Sequence, residues 1–182
     1  MARLILLNGP PAVGKSTLAR LYGEDHPLTL VLDIDQVRRM LGSWRADPAR
    51  AGRLARSVAL TAARTHLESG YDVVVPQLVL RVEFIRELAG AAAESGARFS
   101  EAFVLDTAAN IVQRFAERTR LAADPTHTDA SETLADGDAG LRDYVDRFTA
   151  LVPLRPDAVT IDCVSGDVEA TYRRLLGALG ER

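Results

Sequence analysis

Gly9-Pro10-Pro11-Ala12-Val13-Gly14-Lys15-Ser16-Thr17 fits the pattern G-x-x-x-x-G-K-[ST], with Gly9, Gly14, Lys15 and Ser16 at the defining places. An apolar run, Leu4-Ile5-Leu6-Leu7, leads into it, and a helix-like segment follows from Ser16 to Tyr22. Strand, loop and helix in that order are the context in which this pattern binds phosphate. Glycines let the backbone curl into a nest whose N–H groups face an anion, and the helix that follows points its positive dipole end the same way. The whole stretch 9–17 is therefore expected to hold a nucleoside triphosphate. Lys15 would reach the β- and γ-phosphates, and the Ser16 hydroxyl would hold Mg²⁺. Lys15 is the only lysine in the chain, and every other basic side chain is arginine.

Outward from the loop, short β-like runs alternate with helical spacing. Strands are expected at 3–7, 28–32, 72–75, 98–105 and 159–161. Helices are expected at 15–22 (ending near Gly23), 35–41, 49–69, 81–95, 108–122, 138–151 and 168–179. This alternation predicts an α/β fold of three layers: a five-stranded parallel sheet with helices on both faces. The polar, turn-rich stretch 124–137 breaks the pattern and suits a small lid, at about 118–140, within one domain spanning 1–182. A chain of 182 residues, 47% hydrophobic, has the apolar content for one real core.

The net charge of -3 gives no global attraction to nucleic acid or acidic membranes. The single cysteine, Cys163, excludes an internal disulfide framework and a cysteine-built zinc site. No signal-peptide pattern or membrane-length apolar run is present, so a cytoplasmic protein is expected. Neither a nucleic-acid nor a membrane partner is expected; monomer and homodimer both stay open.

In a parallel sheet, ligands bind beyond the carboxyl ends of the strands. After the second strand come Asp33-Ile34-Asp35-Gln36. Asp33 suits the water shell of Mg²⁺. Asp35 suits contact with a substrate hydroxyl, whose proton it would accept, or else it caps the next helix. Arg38 shares a helix face with Asp35 and suits an anionic or polyhydroxy substrate. Trp44 either walls the substrate pocket or covers the core. After the third strand stand Pro76 and Gln77, where many phosphate-loop enzymes carry an aspartate; Gln77 is a candidate for substrate binding. Arg53, Arg56 and Arg64 read as a solvated arginine face. Arg114 and Arg118, four apart at the approach to the lid, would neutralise charge on a transferring phosphoryl group, and Arg114 would also touch the nucleotide. The loop after the fifth strand, around Cys163, either contacts the adenine or is a plain turn.

Together these motifs resemble the small P-loop kinases of the nucleoside-monophosphate-kinase-like fold, over essentially the whole chain. Asp33-Ile34-Asp35-Gln36 is similar to the D-x-D-Q segment of shikimate kinases, and Asp35 matches the place of the proposed base in chloramphenicol phosphotransferases. The stretch from Val73 to Leu78 resembles tunicamycin-resistance proteins, and Arg114 with Arg118 matches the family's R-x-x-x-R lid pattern. The resemblance implies an ATP- and Mg²⁺-dependent transfer of the γ-phosphate to a hydroxyl of a small molecule, with an antibiotic among the possible acceptors. A nucleoside or nucleotide kinase and a non-catalytic, nucleotide-binding resistance protein are the alternatives.

Overall fold

The computed structural model describes residues 1–121, 137–164 and 166–181. Five strands, β1 (Arg3–Asn8), β2 (Leu30–Val31), β3 (Val73–Pro76), β4 (Arg98–Leu105) and β5 (Val159–Asp162), form one sheet in the order β2-β3-β1-β4-β5. Every pairing is parallel, and β1 is central, with Leu4 opposite Val73 on one side and Phe99 on the other. The helices are α1 (Lys15–Asp25), α2 (Ile34–Arg39), α3 (Pro48–Glu68), α4 (Val82–Glu94), α5 (Ala108–Leu121), α6 (Gly137–Leu151) and α7 (Val168–Ala178).

The two-residue period of a strand divides β1 between two cores. Leu4 and Leu6 face a cluster with Phe84, Ile85 and Leu88 of α4 and Ala55, Ala59 and Leu67 of α3. Ile5 and Leu7 face the opposite cluster, with Leu18 and Tyr22 of α1 and Tyr172 and Leu175 of α7. All four β1 side chains are fully buried, each stabilising the fold by about 1.5–3 kcal/mol. α1, which follows β1, and α4, which follows β3, lie on opposite faces. The adjacent ends of β1 and β3 are therefore the switch point where such sheets bind ligands.

Two sequence expectations need correction. The second strand is shorter than 28–32, because Leu28 has a left-handed φ of 63° and an exposed side chain, so it belongs to a turn. Helix α1 runs past Gly23 to Asp25. A Cβ at Gly23 would meet Val31 Cγ2 at 2.9 Å, so this glycine admits the neighbouring strand and does not end the helix. Most of the expected lid, 122–136 with His127, lies outside the described residues. Among the described residues, no helix is long and apolar enough to cross a membrane.

Candidate active site

The phosphate loop joins β1 to α1. A Cβ at Gly9 would sit 2.8 Å from the backbone oxygen of Val104 and 2.9 Å from Val13 Cγ1, so only glycine lets the loop start this close to β4. Ala12 and Gly14 both take left-handed conformations, with φ of 62° and 109°. Gly14 is the N-cap of α1 and supplies no side-chain cap, which leaves first-turn N–H groups for an anion. Pro10 and Pro11 have no N–H to offer. Instead, the Pro10 carbonyl accepts a hydrogen bond from Lys15 Nζ at 2.8 Å, arching the lysine over the loop. Ala12 and Val13 are buried beneath it and stiffen it. This cradle fits a nucleotide's phosphates. Ser16 at the start of α1 and the Asp33 carboxylate, which feels the Lys15 charge, are donors that suit Mg²⁺ held largely through water.

Asp33, and not Asp35, caps α2: its Oδ1 accepts from the backbone N–H of Asp35 at 2.9 Å and of Gln36 at 3.3 Å. Burial pushes the Asp33 carboxyl above the usual range and the Asp35 charge adds to this, while the two N–H bonds and Lys15 pull it back. Asp35 is thereby released from the capping role. Its Oδ2 accepts from Gln77 Nε2 at 3.1 Å, and its Oδ1 lies 3.2 Å from Arg38 Nη2. Gln77 thus uses the place of the missing aspartate to orient Asp35. A second carboxylate there would instead repel it.

Asp35, Arg38 and Gln77 line a cavity of about 440 Å³ that reaches the phosphate loop at Pro11. Trp44 is not among the residues lining it. The Trp44 ring lies behind Arg38, with the Arg38 guanidinium 4.7 Å and that of Arg45 4.4 Å from its centroid. Trp44 therefore fixes Arg38 by stacking. Arg56 does line the cavity, whereas Arg64 pairs with Glu94 at 2.9 Å and Arg53 is exposed. The expected solvated arginine face is thus divided, with Arg56 turned inward.

Sequence reasoning missed four contributors. Arg81 enters the cavity from the start of α4, and Tyr144 and Arg147 enter from α6. Asn8, fully buried at the end of β1, donates from Nδ2 to the Val79 carbonyl and accepts from the Val79 N–H, each at 2.9 Å. That double bond pins the 77–81 segment forming the cavity wall. A polar residue closing an apolar strand, just before Gly9, was the available signal.

A second cavity, about 240 Å³, flanks the loop and is lined by Gly14, Thr17, Arg114, Cys163 and Asp167, among others. Arg114 is ion-paired there with Asp106. Burial works against the Asp106 charge, but Arg114, Asn110 and the Thr107 N–H together hold its carboxyl below the usual range. Burial, with the Asp106 charge adding to it, pushes the Cys163 thiol up to about 11. It stays protonated and donates to the Val13 carbonyl at 3.3 Å. Arg118 lies on α5, but its side chain is outside the described residues.

A P-loop nucleotide-binding fold of the kinase type is therefore in place, and comparison with known proteins agrees. A family model described as an AAA domain matches residues 4–138. The chain belongs to this family, among its small P-loop kinases. The tunicamycin resistance protein of Deinococcus radiodurans is similar over 100% of this chain and 98% of its own, at 17% identity and a TM-score of 0.66. A gluconokinase from Sinorhizobium meliloti 1021 is similar over 98% and 91%, at 16% identity and a TM-score of 0.63. A chain of the Pnkp1/Rnl/Hen1 RNA repair complex is similar over 86% of this chain, at 15% identity and a TM-score of 0.66; this chain spans about half of its length, 47%. No curated protein matches the sequence.

Proposed function

We propose that the protein transfers the γ-phosphate of ATP to a hydroxyl of a small molecule. The observation that carries this reading is Asp35. It is a carboxylate relieved of capping, aimed by Arg38 and Gln77, in a cavity that opens onto the phosphate loop. Phosphoryl transfer needs positioning and charge neutralisation more than covalent chemistry. Lys15 and the loop N–H groups bind the triphosphate. Ser16 and Asp33 are the residues that would hold Mg²⁺, which supplies charge neutralisation at the phosphates when bound. Asp35 accepts the acceptor's hydroxyl proton at Oδ1 or Oδ2. Arg38 orients Asp35 and binds the acceptor. Arg114 lies on the nucleotide side, where the second cavity suits the base and ribose, and Arg114 or Arg118 neutralises charge on the transferring phosphoryl group.

The test is ADP release across a panel of hydroxylated small molecules, antibiotics included, with mass spectrometry for a gain of one phosphate. Turnover with that mass gain supports the reading. Tight binding of a compound with neither ADP nor mass gain overturns it in favour of a non-catalytic binding protein.

A further inference from the structure

Among the described residues, the acceptor cavity carries more positive charge than its own carboxylate balances. Four arginines line it, Arg38, Arg56, Arg81 and Arg147, against the single carboxylate of Asp35. Arg38 is already committed to Asp35. Arg147 is exposed and has a loose contact with Asp143 at 3.5 Å. Arg56 lies 5.8 Å from the Phe84 ring, and neither it nor Arg81 has an ion pair among the described residues. Arg81 is also the N-cap of α4 and provides no side-chain cap, so N–H groups open beside its guanidinium. Glu83, the acid in that first turn, does not line the cavity. On the Asp35 side, Arg38 Nε and Gln77 Oε1 are buried with no hydrogen-bond partner, leaving one donor and one acceptor for a ligand to satisfy.

Arg38 and Arg56 are half-buried and Arg81 and Arg147 exposed, yet all four border the same cavity, which a solvated arginine face does not require. The arginines converge on one concave space from α2, α3, the start of α4 and α6. Like charges gathered within a Debye length repel unless an anion sits among them. A nucleic-acid strand fits poorly, because the charge lies in a cavity and not along a surface stripe, on a chain of net charge -3.

We propose that the acceptor bears an anionic group, a carboxylate or a phosphate, received by Arg56, Arg81 and Arg147. Asp35 and Gln77 meet its hydroxyl. The hydroxyl half rests on the phosphotransferase reading; the anion half is measured without turnover.

Trp44, the only tryptophan in the chain and stacked on Arg38, is the reporter. With the phosphate loop filled by a non-hydrolysable ATP analogue, its fluorescence is titrated with inorganic phosphate, D-glycerate and glycerol. At least one anion is expected to give a saturable change at millimolar concentration, at least roughly tenfold tighter than glycerol. Whether phosphate, glycerate or both do so identifies the source of the charge. Arg56→Gln and Arg81→Gln should each weaken that binding about five- to tenfold, with the affinity for the ATP analogue unchanged. Arg53→Gln, exposed on the same helix as Arg56, should leave it unchanged. Three results overturn the proposal: no saturable anion binding, equal binding of glycerol, or anion binding indifferent to both cavity arginines. Saturation only by a 5′-hydroxyl oligonucleotide also overturns it. Anion binding with no ADP release on any hydroxylated panel member sinks the phosphotransferase reading and leaves the anion site standing.

Discussion

The two cavities flanking the phosphate loop are built from different materials. The nucleotide side is mostly backbone: left-handed turns at Ala12 and Gly14, an uncapped helix start, and a glycine pressed against Val104. The acceptor side is mostly side chains, brought from α2, α3, the 77–81 segment and α6. Backbone donors recognise a group that never varies, the polyphosphate, and tolerate little change of shape. Side chains can be exchanged one at a time without refolding the sheet. One scaffold built in this way can host different ligands.

The largest effect should come from the one side chain on which the backbone-built side depends. Lys15→Ala is expected to lower ATP turnover by about 10³-fold or more, read by ADP release. Retained turnover would mean that the loop does not hold the transferred phosphate. On the acceptor side, Asp35→Asn keeps an oxygen for Gln77 but loses the proton acceptor. It should lower kcat by roughly 10²–10⁴-fold and leave ATP affinity unchanged. A fall in ATP affinity instead would erase the distinction between the two sides.

Asn8 shows that the acceptor wall has its own support. In Asn8→Ala, the N–H and carbonyl of buried Val79 lose both partners, a cost of about 2–4 kcal/mol in urea unfolding. KM for the acceptor should rise more than KM for ATP, because the 77–81 segment loosens and the loop does not. Equal increases would show that the wall and the loop move together.

The same contrast explains what could be read in advance. The loop was legible because its physics is contiguous: nine residues, with strand before and helix after. The sheet was legible because Leu4-Ile5-Leu6-Leu7 and Val73-Val74-Val75 are buried on both faces, and such strands read as unbroken apolar runs. Leu28 misled because an apolar side chain can sit exposed in a turn, and Gly23 because a missing Cβ serves packing as well as helix ends. The acceptor cavity was only partly legible. Asp35, Arg38 and Gln77 follow strands, where ligands gather. Arg56 differs from Arg53 only in which way one helix face is turned, and that is set by the packing of α3 against the sheet. Arg147 comes from an element more than ninety positions further along the chain.

The smallest expected effect tests an ion pair on the nucleotide side. Asp106 is almost fully buried and Arg114 partly exposed, with relative exposures of 4% and 33%. Asp106→Asn preserves an oxygen for the Thr107 N–H and for Asn110 but removes the charge facing Arg114. Its cost at pH 7 should be about 1–2 kcal/mol, since solvent screens the arginine. The sign of its pH dependence follows from the lowered carboxyl. Folded Asp106 ionises below the ordinary 3.8, so the pair's contribution is complete above that value and is lost as pH falls through the folded value. The stability gap between wild type and variant should therefore be constant near neutrality and close in acid, as read by urea unfolding across pH. A gap unchanged down to the lowest pH would place the effect in packing and leave Arg114 with another partner on the nucleotide side.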